Sequence, residues 1–205
     1  MTRRVRAGER IWSQGEAIHL TLIVGGYGAF VRTTVNGQQL ITSVVRPGET
    51  YGMISIAGSL AAADLVALTD CELATWPGPT VRQIAQSDPS LGLDVIDRLA
   101  VLLVLITERL DEFLHQDARR RVIRVLARYG DLFFGDPPIL TRAQLPGLVG
   151  TSREMTARVL RALEAEGSIA RVGRTGLRLV NPAILRSGED GVSDVAMVSG
   201  APPSA

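Results

Sequence analysis

Lysine is absent from this 205-residue chain: all 22 of its basic residues are arginine. A biased codon usage explains that as well as any selection for guanidinium chemistry does, so it carries little weight by itself. Cysteine is nearly absent too. Cys71 alone makes no internal disulfide and supplies no iron–sulfur cluster, and two histidines, His19 and His115, are too few for a metal cage. No cofactor or metal is expected. No run approaches the roughly 18 apolar residues of a membrane span, and the opening Met1-Thr2-Arg3-Arg4 lacks the apolar stretch of a signal peptide, so the reading is cytoplasmic with no membrane partner. A carboxylate–histidine–nucleophile constellation, a phosphate-cradling Gly loop and a metal-ligand spacing are all missing, which argues against an enzyme.

What is present is an uneven charge. The net +1 conceals nine arginines against thirteen acids over residues 1–117, thirteen arginines against five acids over 118–186, and three acids over 187–205. The middle segment is therefore at +8 between stretches at −4 and −3, the footprint of a nucleic-acid module joined to a neutral-to-acidic one.

Within that segment, residues 141–163 (TRAQLPGLVGTSREMTARVLRAL) read as two short helices joined at a Gly turn. Thr156, Val159, Leu160 and Leu163 fall at i, i+3, i+4 and i+7 and share one stripe fit for a core. Arg153, Glu154, Ala157, Arg158 and Arg161 then face outward. Three guanidiniums on about two turns suit a major groove, where Arg binds guanine O6 and N7 and Glu accepts from cytosine N4. Two bland readings compete at Glu154: Thr151-x-x-Glu154 is a possible capping box, and Glu154 to Arg158 is a favourable i,i+4 pair. Pro146-Gly147 sits inside the first helix, which is expected to be shortened or kinked, with Thr141-x-x-Gln144 as its capping box. Strands at 169–172 and 177–180 around Gly173-Arg174-Thr175-Gly176 predict a wing, followed by a brief turn at 183–186.

Upstream, β-rich runs at 20–24, 29–34, 39–45 and 72–76 alternate with Gly-bearing turns, which argues an antiparallel barrel or sandwich. Asn36-Gly37 is the best hairpin signal, because a type I′ turn needs positive φ at both central residues. Pro77 to Pro79 marks the exit from the barrel. Residues 91–114 then run without proline, and Ile96, Leu99, Leu103, Ile106, Leu110 and Phe113 form an a/d seam, with further apolar residues on other faces. A buried helix in a monomer is the alternative. A helix of about 24 residues, roughly 36 Å long, is more than a small barrel covers, so a second copy of the chain is expected against it. A further helix, 118–129, carries Val122, Val125, Leu126 and Tyr129 on one stripe and five arginines around the rest.

In this order the parts resemble the Crp/Fnr (catabolite-activator/FNR-type) transcription regulators over roughly residues 3–186. Val5-x-Ala7-Gly8-Glu9-Arg10-Ile11 with Gln14-Gly15-Glu16 resembles the opening strands of a cyclic-nucleotide-binding-type barrel. Val45-Arg46-Pro47-Gly48-Glu49-x-Tyr51-Gly52 is similar to the entry into its phosphate-binding cassette. Leu148-x-Gly150-Thr151-Ser152-Arg153-Glu154-x-x-x-Arg158, followed by Leu163-Glu164-x-Glu166-Gly167-x-Ile169, resembles the family's winged helix-turn-helix.

The resemblance implies an α+β chain. It has an antiparallel β jelly-roll sensor over 1–90, a dimerisation helix over 91–117, a winged helix-turn-helix over 118–186 and a disordered tail over 187–205. It implies that Arg153, Glu154 and Arg158 read bases, while Thr141, Arg142 and Ser152, with Arg174 and Thr175 of the wing, hold phosphates. The expected partners are double-stranded DNA with a roughly palindromic site, a second copy of the chain, and RNA polymerase, recruited or blocked. The competing function is a small-molecule sensor whose winged helix docks protein instead of DNA.

Cyclic-nucleotide-binding members of the family use a Gly-Glu pair for the ribose and an Arg-Ser or Arg-Thr pair for the cyclic phosphate. Here the first pair is Gly52-Met53, the second falls among Ala61-Ala62-Ala63, and no arginine lies between Arg46 and Arg82. A buried anion without its charge-assisted partner is penalised, so cyclic AMP in the usual mode is not expected. Met53, Ile54, Ala61 and Ala62 could line an apolar effector pocket or be filled core. Cys71 or His19 as a haem ligand is disfavoured, since a lone Cys on an apolar strand packs as a small core residue.

Overall fold

The computed structural model describes residues 1–34, 37 and 39–189, the last three by backbone alone. It divides into two compact units, one of Met1–Arg32 with Thr42–Ile106, the other of Thr33–Ile41 with the described residues from Thr107 onward. The Asn36 half of the expected hairpin turn lies outside the described residues; Gly37, which is described, has φ of 75°.

The first unit is a jelly roll. Its strands are β1 (Thr2–Val5), β2 (Arg10–Trp12), β3 (Leu20–Gly25), β4 (Gly28–Thr33), β5 (Gln39–Val45), β6 (Thr50–Tyr51), β7 (Asp64–Ala67) and β8 (Cys71–Trp76). They form two four-stranded sheets, β1-β8-β3-β6 and β2-β7-β4-β5, with antiparallel pairings throughout the registers. Alternating side chains from both sheets meet in one core: Val5, Ile23, Cys71 and Leu73 from one, Ile11, Trp12, Val45 and Leu65 from the other. Trp12, Phe30 and Tyr51 continue it as a chain of tilted rings. Cys71 is thus a core residue, and burial pushes its thiol above the ordinary range.

The barrel exit contains a helix that the Pro77–Pro79 signal does not announce, α1 (Gly78–Ser87). Its proline lies in the first turn, where the missing N–H costs nothing. Gly78 is required by packing, because a Cβ there would lie 2.0 Å from the Ser55 carbonyl oxygen of the 3-10 helix Met53–Ala57. Then α2 (Pro89–His115) runs 27 residues without a single buried one.

The second unit gathers the end of α2, α3 (Ala118–Arg128), α4 (Gly130–Phe133), α5 (Leu145–Val149), α6 (Arg153–Ala165), the strands β9 (Ile169–Val172) and β10 (Gly176–Leu179), and α7 (Ala183–Glu189). Its core is Val122, Leu126, Leu132, Phe133, Leu140, Leu145, Val149 and Leu163, all essentially without solvent contact. The expected turn at 183–186 is instead α7, which packs on α3 and extends through 187–189, residues assigned from sequence to a disordered tail. Residues 190–205 lie outside the described residues.

Candidate nucleic-acid interface

The helix-turn-helix forms with two adjustments. Pro146 lies in the first turn of α5, so the helix is shortened to five residues, the first of the two outcomes expected, and not kinked. The turn before it is tied as the Thr-x-x-Gln spacing predicts: the Thr141 backbone N–H and hydroxyl both donate to Gln144 Oε1, at 2.9 and 2.6 Å. Gly150 closes α5 in the left-handed region at φ 66°, and a Cβ there would lie 2.2 Å from the Phe113 ring. Both facts fix glycine at the motif's turn.

At α6 the cap is Ser152, not Thr151. Its Oγ accepts from the Met155 N–H at 3.1 Å, which removes Glu154 from any capping box with Thr151. Glu154 is fully exposed, and its carboxyl is held below the ordinary range first by its own backbone N–H, then by the Ser152 hydroxyl and Arg153. The stripe Thr156, Val159, Leu160 and Leu163 is buried, leaving Arg153, Glu154, Arg158 and Arg161 exposed. Arg153, Arg158 and Arg161 have no carboxylate within ion-pair distance among the described residues.

The wing is a hairpin with Gly176 opposite Val172 and Leu179 opposite Ile169. Arg142 anchors it: its N–H donates to the Thr175 carbonyl at 3.1 Å, and its Nη2 donates to the carbonyl of Arg174. Arg142 is therefore already engaged by the wing turn, whereas the Arg174 guanidinium and the Thr175 side chain stay exposed. Together Arg142, Arg153 and Arg174 line one concave surface of about 430 Å³, with Arg161, which the helical period placed on the outward face without a specific contact, and Arg171, which sequence reading gave no role. The 153-157-161 spacing was the available signal. Glu154 and Arg158 stand outside that concavity.

The arginines of α3 are placed differently. Arg119 makes a two-point ion pair with Glu166 (2.9 and 2.6 Å), and Arg124 and Arg128 converge on Glu112 at 3.0 and 3.1 Å with little exposure. Arg121 donates to the carbonyls of Phe113 and Gln116 and stacks 5.5 Å above the Phe113 ring. Much of the +8 read from sequence is internal wiring.

On α2, all six seam residues are exposed: Ile96, Leu99, Leu103 (65%), Ile106, Leu110 and Phe113 (41%). Phe113 is partly used within its own chain, against Gly150 and Arg121. In the barrel, Ala61 is core, Ile54 and Ala62 are exposed, and Met53 is half-buried. None of the four lines the shallow cavity of about 200 Å³ there, which is bounded by Ile18, His19, Ser55, Ser59, Leu60 and Pro77 among others. No helix of the described residues is long and apolar enough to cross a membrane.

Residues 2–88 match the family model of the cyclic nucleotide-binding domain, and residues 98–187 that of the Crp-like helix-turn-helix domain. The chain belongs to the Crp/Fnr family. It is a transcription regulator of that family with a helix-turn-helix DNA-binding domain. Over 180 residues it is 29% identical to the cyclic AMP receptor protein of Thermus thermophilus, covering 87% of this chain and 83% of that one. It is 28% identical over 171 residues to the cAMP-activated global transcriptional regulator CRP of Salmonella typhimurium, covering 79% and 81%. The crystal structure of a transcriptional regulator of the CRP/FNR family, also from Thermus thermophilus, shares the fold, with a TM-score of 0.77 at 21% identity over 93% of this chain and 100% of that one.

Proposed function

We propose that this Crp/Fnr regulator acts as a homodimer that reads a roughly palindromic DNA site, without answering to cyclic AMP in the manner of its named relatives. The observation that carries the DNA reading is the outer surface of α6, where Arg153, Glu154 and Arg158 are exposed on a helix whose opposite stripe is locked into the core. Arg153 and Arg158 recognise guanine edges and Glu154 a cytosine amine. Thr141, Ser152, Arg174 and Thr175 hold phosphates around them, with Arg142 fixing the wing and adding charge. The exposed α2 seam supports the dimer, since a row of large apolar side chains in water is stabilised by a second copy. A two-fold pair of α6 helices enters successive major grooves about 34 Å apart, and occupancy recruits RNA polymerase or blocks it.

The relatives' names carry cyclic AMP, but this chain has Gly52-Met53 and no arginine from residue 47 to 81, and the buried Ala61 leaves no cation for a cyclic phosphate. The test is an equilibrium titration of duplex DNA, a symmetric site selected by the protein from a random pool against a mixed-sequence duplex, with and without cyclic AMP. Tighter binding to the selected site, unchanged by micromolar cyclic AMP, is the expected result. Equal affinity for both duplexes overturns sequence reading, and a response to micromolar cyclic AMP overturns the account of the barrel.

A further inference from the structure

The recognition helix has two working faces, and base reading uses the outer one together with Arg153 at the start of the other. Glu154 and Arg158 lie on the outer one. Arg153, Ala157 and Arg161, spaced by four, line the concavity shared with the wing, where Arg142, Arg171 and Arg174 join them and no carboxylate takes part in the lining. From Arg153 to Arg161 the helix rises about 12 Å, the axial length of about three to four nucleotides of one strand. Five guanidiniums around one 430 Å³ concavity repel one another in the absence of an anion. Two are held by the protein, Arg142 by the Arg174 carbonyl and Arg171 by Glu164 at 3.1 Å. The buried Nε of Arg142 has no hydrogen-bond partner. Arg161 is exposed on a rigid helix without a carboxylate partner among the described residues.

We infer that this concave face is a clamp for the phosphates of one DNA strand, in which Arg161 is the principal anchor, Arg171 and Arg174 close the wing side, and Glu164 tempers the clamp by engaging Arg171. The inference rests on the DNA-regulator reading and adds to it a site that sets affinity, not sequence. A phosphate contact is worth the same on every duplex and is lost with salt, whereas a base contact is worth something only on the correct site.

The experiment measures affinity and its salt dependence for the full chain and for R161Q, R161K and E164Q. It uses the selected symmetric site and a mixed-sequence 40-bp duplex, with thermal melting to verify the fold. R161Q is expected to lose affinity equally on both duplexes, about eightfold at 0.1 M salt per contact, and to flatten the log–log salt slope by about one unit for each engaged recognition helix. R161K, a point charge that still meets phosphate, should retain the slope. E164Q should bind both duplexes more tightly with a steeper slope. Loss by R161Q on the selected site alone assigns Arg161 to a base edge and overturns the clamp, as does undiminished binding on both. An unaltered E164Q overturns the place of Arg171 in it. If the wild-type chain binds neither duplex, the regulator reading itself fails.

Discussion

Helices α3 and α6 look alike as sequence, each an apolar stripe wrapped in arginine, yet the structure gives their guanidiniums opposite employment. Four of the five on α3 find carboxylates and carbonyls, Glu166 for Arg119, Glu112 for Arg124 and Arg128, backbone oxygens for Arg121, while Arg120 stays exposed. Arg153, Arg158 and Arg161 of α6 find none among the described residues. What separates a structural from a functional arginine here is where the acids fall after folding. Glu112 and Glu166 stand on neighbouring elements that reach α3, whereas at the concave face Glu164 is held by Arg171. Net charge by segment therefore overstates the DNA-facing charge and misplaces part of it.

The most disruptive way to probe the comparison is to remove what the two helices share. Leu126 of α3 and Leu163 of α6 are both buried in the same core, so Leu126→Ala and Leu163→Ala should each cost about 2–5 kcal/mol in urea unfolding. A near-neutral result at either position would show that the two helices do not rest on a common core.

Removing a partner from α3 sharpens the contrast. Glu112 receives both Arg124 and Arg128 and is only 12% exposed, so Glu112→Gln leaves two poorly hydrated guanidiniums without their counter-charge. A loss of about 1–3 kcal/mol in stability is expected, with base preference unaltered. On α6 the reverse holds: Arg153→Ala should leave the melting temperature unchanged, cost about 1–3 kcal/mol on the selected site and relax base preference there. Arg142→Ala should weaken all sequences alike, and because it also frees the wing turn from the start of the motif, its melting temperature should fall slightly. Should Arg153→Ala weaken selected and mixed DNA equally, the two arginines do not divide the labour in this way.

Much of this architecture was legible in the sequence for a stated physical reason. The α6 stripe and the α2 seam each repeat a period over enough residues to be distinguished from chance, and the wing is marked by its Gly-Arg-Thr-Gly tip. Strands β1, β2, β6 and β7 have two to four residues, too few for alternation to register, and α1 begins with Gly-Pro, which reads equally as a loop. Thr151 and Ser152 are chemically equivalent caps, so only backbone geometry selects the second. At the candidate site, the outward guanidiniums followed from helical period alone. Their commitments did not, because Arg142 meets Arg174 across 32 positions and Arg119 meets Glu166 across 47. The concave face, built from three elements, was beyond any one-dimensional pattern.

The smallest expected effect is the acid response of the Arg119–Glu166 pair, which joins the start of α3 to the end of α6. Hydrogen bonds from Arg119 hold the Glu166 carboxyl below the ordinary glutamate range, and the same contact raises the Arg119 guanidinium. A carboxyl depressed by folding contributes stability that is complete above its unfolded value and is lost as pH falls through its folded one. The urea midpoint of the wild-type chain should thus exceed that of Glu166→Gln by a small, constant margin at neutral pH, and the margin should close on acidification below the ordinary glutamate range. The Glu154 carboxyl is also held below the ordinary glutamate range. Asp88 is depressed as well, and because both acids are common to the wild type and the variant, their contributions cancel in the margin. A margin that survives at low pH would mean that Glu166 acts through packing, and the ion pair would not be what fastens α3 to the recognition helix.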